Sequence, residues 1–156
     1  GDDGINGGDG NDIIFGGQGI DFINGDRGSD LIYAGKENDR IYSGDGDDRV
    51  FADGGNDYLF GEMGADTLTG GRGFDVFAIA IGTGSTDPVA ADVITDFTIN
   101  QDKIDLISPL AINQLNIFQG TDALVNDTII QYQVTGEYLA ILKAVTASNI
   151  VELVSF

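Results

Sequence analysis

Aspartate stands at every ninth position from Asp3 to Asp75: Asp3, Asp12, Asp21, Asp30, Asp39, Asp48, Asp57, Asp66 and Asp75, without a gap. Carboxylates at a fixed period supply hard oxygen atoms at regular intervals, and two chemistries use them. Each side chain can accept a bond from its own nearby backbone and shape a turn. Alternatively, carboxylates from separate turns can converge on a hard cation, and an oxygen cage of that flexible kind favours calcium. The fold decides whether successive aspartates meet.

Laid out in nines from Gly7, the chain reads GGDGNDIIF, GGQGIDFIN, GDRGSDLIY, AGKENDRIY, SGDGDDRVF, ADGGNDYLF, GEMGADTLT and GGRGFDVFA, with a partial unit before them. The fourth place is glycine except at Glu37, and the eighth is Ile14, Ile23, Ile32, Ile41, Val50, Leu59, Leu68 or Phe77. A period this short and regular predicts a solenoid. Glycine supplies the positive φ of a tight turn, and a three-residue strand centred on the eighth place points one apolar side chain inward. Two units then make one coil, with strands on opposite sides. Each turn lies over the turn two units earlier, roughly 4.8 Å away. Asp12, Asp30, Asp48 and Asp66 form one column; Asp3, Asp21, Asp39, Asp57 and Asp75 form the other. Carboxylates so stacked repel unless a cation lies between them. The turn glycines Gly8, Gly10, Gly17, Gly19, Gly28, Gly44, Gly46, Gly55, Gly64, Gly71 and Gly73 offer backbone carbonyls around the same gaps. Ordering nine residues costs roughly 1 to 2 kcal/mol each, whereas burying one Ile returns about 1.5 to 3 kcal/mol. Metal is expected to close that deficit.

These units resemble the GGxGxDxUx nonapeptides of the repeats-in-toxin (RTX) family, and the resemblance covers Gly1 to Ala78. It implies an all-β parallel β-roll that binds calcium between turns two repeats apart. Carried over by position, the ligand pairs are 12/30, 30/48 and 48/66 in one column and 3/21, 21/39, 39/57 and 57/75 in the other. That sets an upper limit of about seven calcium ions. The unit Ala34 to Tyr42 departs most, with Lys36 and Glu37 in place of small residues. Glu37 either distorts its turn or adds a ligand.

Composition narrows the classes. Residues 1–78 hold 17 acidic and 5 basic residues and the remainder 9 and 2, for a net charge of −19, which argues against nucleic acid and anionic membranes as partners. With no cysteine and no histidine, the chain has no thiolate metal site, no Ser-His-Asp set and no Cys-His pair. A two-carboxylate glycosidase is not excluded by counting, but the carboxylates are arranged for metal, and no enzymatic activity is expected. The stretch from Asp45 lacks the Glu that closes an EF-hand loop, with Asn56 at that place. No apolar run is long enough for a transmembrane helix.

From Ile79 the period is lost, with 20 of 24 glycines lying in the first 78 residues, so residues 79–156 form a second structural unit. Strands are expected at 92–97, 104–107, 128–132 and 138–142, with a hairpin turn at Thr135-Gly136-Glu137. The run Asp92-Val93-Ile94-Thr95-Asp96-Phe97 followed by Asp102-Lys103-Ile104-Asp105-Leu106 resembles the pattern that follows β-rolls in serralysin-type proteases and alginate-epimerase R-modules. It implies that this region continues the roll irregularly and caps its open end. Asp92, Asp96, Asp102 and Asp105 are either extra ligands or, as their alternation favours, a solvated face opposite buried Val93, Phe97, Ile104 and Leu106. The ending Glu152-Leu153-Val154-Ser155-Phe156 is similar to uncleaved type I secretion signals of RTX proteins. With Met63 its only methionine and its first residues in mid-repeat, the chain reads as part of a longer protein with an upstream passenger. The expected role is an extracellular, calcium-triggered folding module that supports export by a type I secretion apparatus. Open in low calcium, it would fold outside the cell.

The ninth place carries Phe15, Tyr33 and Phe51 in one strand column and Tyr42 and Phe60 in the other. These side chains should point outward. Cross-strand stacking is an ordinary source of sheet stability. The other reading is a partner face, flanked by Ile13 and Leu31 or by Phe22 and Tyr58, that docks a polysaccharide, a cell surface or another module. It would make the chain an adhesive module.

Overall fold

The nine-residue period becomes a two-sided coil in a computed structural model that describes residues 1–147. The tail Glu152, Leu153, Val154, Ser155 and Phe156 lies outside the described residues. Strands alternate between two sheets: β1 (Gly4–Asp9), β2 (Ile13–Gln18), β3 (Phe22–Arg27), β4 (Leu31–Lys36), β5 (Arg40–Asp45), β6 (Arg49–Gly54), β7 (Tyr58–Met63), β8 (Thr67–Thr69) and β9 (Val76–Ile79). Odd-numbered strands pair in parallel in one sheet and even-numbered strands in the other. This is a parallel β-roll, and the repeat offset is 18 residues: Ile14 lies beside Ile32, and Ile32 beside Val50.

Most repeat strands are six residues, longer than the expected three. Each starts at the seventh place and runs into the third place of the next unit. The cause is the backbone ladder, which pairs Gly17 with Gly35 and Gly8 with Asp26 although no apolar side chain marks those positions. The eighth-place side chains meet in the narrow space between the sheets. Ile23, Ile32, Ile41, Leu59 and Phe77 are fully buried there.

The ladders continue past the repeats. In one sheet β11 (Lys103–Leu106) pairs in parallel with β9. In the other, β10 (Asp92–Ile94) pairs in parallel with β8, and β14 (Tyr138–Leu142) with β10. Antiparallel β13 (Thr128–Tyr132) and β12 (Leu115–Gln119) then complete that sheet. The β13–β14 hairpin turns through Gly136, with φ 76°. Strand β12 was not foreseen. Leu110, Leu115, Ile130 and Leu139 join the same buried cluster as Leu68 and Ile94, so the irregular segment covers the last apolar layer of the coil, as a solenoid end requires.

The solvated-face reading of the post-repeat acids is corrected at two of them. Asp92 and Asp102 are buried, each 4% exposed. The inward apolar residue beside Asp92 is Ile94, while Val93 is only half-buried. Each aspartate occupies the place of a repeat aspartate and turns in with it.

Candidate metal centre

In the turns, each repeat aspartate ends one strand's approach and starts the next, so its carboxylate sits at the corner of the coil under the following turn. One oxygen is committed. Oδ1 of Asp30 accepts from the backbone N–H of Asp12 at 2.8 Å, Oδ1 of Asp48 from Asp30 at 2.7 Å, and Oδ1 of Asp66 from Asp48 at 2.8 Å. The other column repeats the bond from Asp3 to Asp21, Asp21 to Asp39, Asp39 to Asp57 and Asp57 to Asp75, at 2.7 to 3.0 Å. Both columns predicted from the period are therefore hydrogen-bonded ladders of aspartates 18 residues apart.

The second oxygen is not committed. Oδ2 of Asp12, Asp21, Asp30, Asp39, Asp48, Asp57 and Asp66 is buried and has no hydrogen-bond partner. A buried carboxylate oxygen without a partner is costly, and its surroundings show what would satisfy it. A methyl group at Gly7 would meet the Gly25 carbonyl oxygen at 2.8 Å and Asp12 Oδ2 at 3.0 Å. At Gly25 it would meet Asp30 Oδ2 at 2.5 Å together with the Ser43 carbonyl oxygen. At Asp12, Asp21 and Asp30 the free carboxylate oxygen thus shares a small space with a carbonyl of the next coil, kept open by a first-place glycine, Gly7, Gly16 or Gly25; the first places beside Asp39, Asp48 and Asp57 are Ala34, Ser43 and Ala52. Oxygen-only donors of this kind fit a hard cation of calcium's size.

All eleven glycines expected to offer carbonyls have positive φ. Gly28 shows why the place is glycine. Its φ is 130°, and a side chain would land on the Gly10 carbonyl of the coil before. The turn carbonyls stack coil on coil, Gly10 towards Gly28, Gly28 towards Gly46 and Gly46 towards Gly64. Glu37 alters its turn: its φ is 70° where the fourth-place glycines lie between 119° and 158°, and its Oε2 accepts from Gly19 N–H at 2.9 Å, a bond that a backbone carbonyl takes at Gly10, Gly28, Gly46 and Gly55. Among the described residues no three acidic side chains converge on one point.

Burial raises the carboxyl pKa values along the columns, with repulsion from the neighbouring aspartate adding to it and the backbone N–H bond opposing it. Asp39 and Asp48 are pushed up to about 6, Asp57 to about 7 and Asp75 to about 6. Asp30 is raised for the same reason. Asp66 and Asp92 are both raised by burial, and Asp66 further by the Asp92 carboxylate. The raised values and the orphaned oxygens share a cause, the burial of closely spaced carboxylates.

The outward aromatic residues form the expected columns. Phe15 and Tyr33 stack with ring centres 5.2 Å apart and 6° between planes, and Tyr33 and Phe51 at 5.1 Å and 11°. Tyr42 meets Phe60 edge-on at 6.3 Å. In the stacked column the ring faces cover one another. At the seventh places of the same sheet, Tyr58 receives the Arg40 guanidinium over its ring at 5.1 Å.

No helix among the described residues is long and apolar enough to cross a membrane. No curated protein sequence matches the chain. Among solved structures, the R3 subunit of a mannuronan C5-epimerase from Azotobacter vinelandii is similar with TM-score 0.56 and 24% identity, over 92% of this chain and 78% of that one. The R2 subunit of that epimerase gives 0.53 and 24%, over 93% and 89%. An extracellular lipase from Serratia marcescens gives 0.45 and 16%, over 96% and 39%. At these identities the epimerase likeness is one of fold. The family model of the RTX calcium-binding nonapeptide repeat matches four times, at residues 1–23, 15–50, 24–59 and 42–77. Residues 1–77 are thus an array of RTX calcium-binding nonapeptide repeats, the family to which this coil belongs.

Proposed function

We propose that the chain is a calcium-dependent folding module of an exported protein, with residues 1–78 as the calcium-binding roll and residues 79–156 as its cap and export segment. The observation that carries it is the set of seven buried carboxylate oxygens without partners, of which those of Asp12, Asp21 and Asp30 lie beside a carbonyl of the next coil. Asp12, Asp21, Asp30, Asp39, Asp48, Asp57 and Asp66 would supply the carboxylate ligands, and the first-, second- and fourth-place backbone carbonyls the rest. Calcium would supply the positive charge that the columns lack. The chain's own part is to hold the oxygens in register and to exclude water from the corner of the coil.

With calcium scarce, mutual repulsion along the columns favours the open chain, the form suited to passage through a type I exporter. In calcium-rich surroundings outside the cell, binding to the folded state alone adds RT ln(1 + [L]/Kd), about 1.4 kcal/mol per site at tenfold excess. The adhesive or polysaccharide-binding reading is less favoured. Ring faces that cover each other, as in Phe15, Tyr33 and Phe51, are not free to stack on a sugar.

Calorimetric titration tests the binding half of the proposal. The chain should take up several calcium ions, and a variant with all seven of those aspartates changed to Asn should take up none. Equal uptake by both would overturn it. For the export half, a passenger fused upstream should leave cells carrying a type I exporter and should stop doing so when residues 152–156 are deleted. Unchanged export would remove the tail from the reading.

A further inference from the structure

The nonapeptide match ends at residue 77, but the hydrogen-bond pattern of the Asp12 column does not. Within the repeats two bonds mark every inter-coil gap: the aspartate N–H donates to Oδ1 of the aspartate one coil on, and the residue after that second aspartate donates back to the first one's carbonyl. For the 48/66 gap these are Asp48 N–H to Asp66 Oδ1 at 2.8 Å and Thr67 N–H to the Asp48 carbonyl at 2.8 Å. The same two bonds join Asp66 to Asp92: Asp66 N–H to Asp92 Oδ1 at 3.1 Å and Val93 N–H to the Asp66 carbonyl at 2.7 Å. Here the separation along the chain is 26 residues, not 18, so a nine-residue period cannot find it.

The free oxygen is the second observation. Asp66 is 1% exposed, and its Oδ2 is buried without a partner, like those of Asp12, Asp30 and Asp48. Asp92 is 4% exposed. We propose that the gap between Asp66 and Asp92 is a further calcium site lying outside the nonapeptide motif, an inference that rests on the calcium reading of the repeats.

The other column makes the contrast. Asp102 also takes a repeat place, accepting from Asp75 N–H at 3.0 Å with Lys103 N–H returning to the Asp75 carbonyl at 2.8 Å. Its second oxygen, however, accepts from Thr98 N–H at 2.7 Å. Both Asp102 oxygens are satisfied by backbone. Asp102 closes its column as a cap, whereas Asp92 extends its own as a ligand. The 66/92 gap differs from a repeat gap on one side. The segment from Gly82 to Ala90 replaces a glycine turn, and it leaves a cavity of about 270 Å³ between Met63–Gly64–Ala65 and Gly82, Thr83, Gly84, Ser85 and Ala90.

The test counts ions. Asp92→Asn keeps an oxygen to accept from Asp66 N–H, and it should lower the calcium stoichiometry of the whole chain by one relative to wild type, measured by equilibrium dialysis. A wild-type chain that takes up calcium and an Asp92→Asn chain that takes up as much would overturn this site alone, leaving the pair as a shared-proton contact. A wild-type chain that takes up none would overturn the calcium reading with it. If Asp92→Asn does not fold, terbium-soaked crystals of the wild-type chain decide. An anomalous peak between the Asp66 and Asp92 carboxylates supports the site, and peaks in the repeat gaps without one there overturn it.

Discussion

Asp30→Asn separates a metal ligand from a turn cap. Asp30 borders two gaps, accepting from Asp12 N–H and donating to Asp48. Asparagine keeps the Oδ1 acceptor, and its amide would stand beside the Ser43 carbonyl where Asp30 Oδ2 lies now, so the calcium-free fold loses little. Bound calcium loses a charged ligand at both gaps. At tenfold calcium over Kd each site is worth about 1.4 kcal/mol, so the variant should forfeit about 2.8 kcal/mol of calcium-dependent stability. Denaturant unfolding measures this in calcium, and in chelator at low pH, where the buried carboxylates carry protons. The expected result is that loss in calcium and a change within about 0.5 kcal/mol in chelator. An equal change in both conditions would refute the reasoning and leave Asp30 a turn-capping residue.

The calcium-free chain should also respond to pH. Folded-state values of about 6 for Asp39, Asp48 and Asp75 and about 7 for Asp57 lie above the ordinary 3.8, so stability is full below about pH 4 and is lost as pH rises through 6 to 7. Circular dichroism in chelator should show more β structure at pH 5 than at pH 7.5; the reverse order would contradict the burial argument. Because the unfolded chain and the calcium-bound fold both carry these carboxylates ionised, calcium must make up the stability that proton loss removes, and its folding midpoint should rise to higher concentration as pH rises over the same range. Gly28→Ala forces a side chain into φ 130° and onto the Gly10 carbonyl, and should cost about 2 to 5 kcal/mol in denaturant unfolding with calcium present. Tyr33→Ser removes both stacked contacts of its column. It should lower stability by about 0.4 to 2 kcal/mol and leave calcium stoichiometry unchanged; a lost ion would tie the aromatic face to the metal sites.

The coil was legible in the sequence because its determinants are local and periodic. Glycine at the turn, aspartate at the corner and one large apolar residue per strand recur in each nine, and stacking identical units leaves few other arrangements. Strand length was not legible. The first two places of a unit carry glycine, alanine or serine, or an acid at Asp26, Asp53 and Glu62, with no large apolar signal, and they are extended because the neighbouring coil pairs with them. Glu37 looked disruptive by residue type, and it does alter its turn, with φ 70° and its carboxylate on the Gly19 N–H. Asp92 and Asp102 were misjudged as a solvated face because insertions move them to 26 and 27 residues from their partners. Alternation along a strand then outweighed a periodicity already broken. Strand β12 has no repeat neighbour to announce it, and it forms by antiparallel pairing with β13, with Leu115 in the cluster that covers the end of the solenoid.

Far-UV circular dichroism during a calcium titration from chelator to about 10 mM, a range that saturates weak extracellular calcium modules, with magnesium as control, tests the central claim most directly. The account predicts a steep gain of β signal that calcium produces and magnesium does not, since magnesium demands a tighter octahedral cage and sheds its water reluctantly. A chain fully folded in chelator at neutral pH and indifferent to calcium would contradict it.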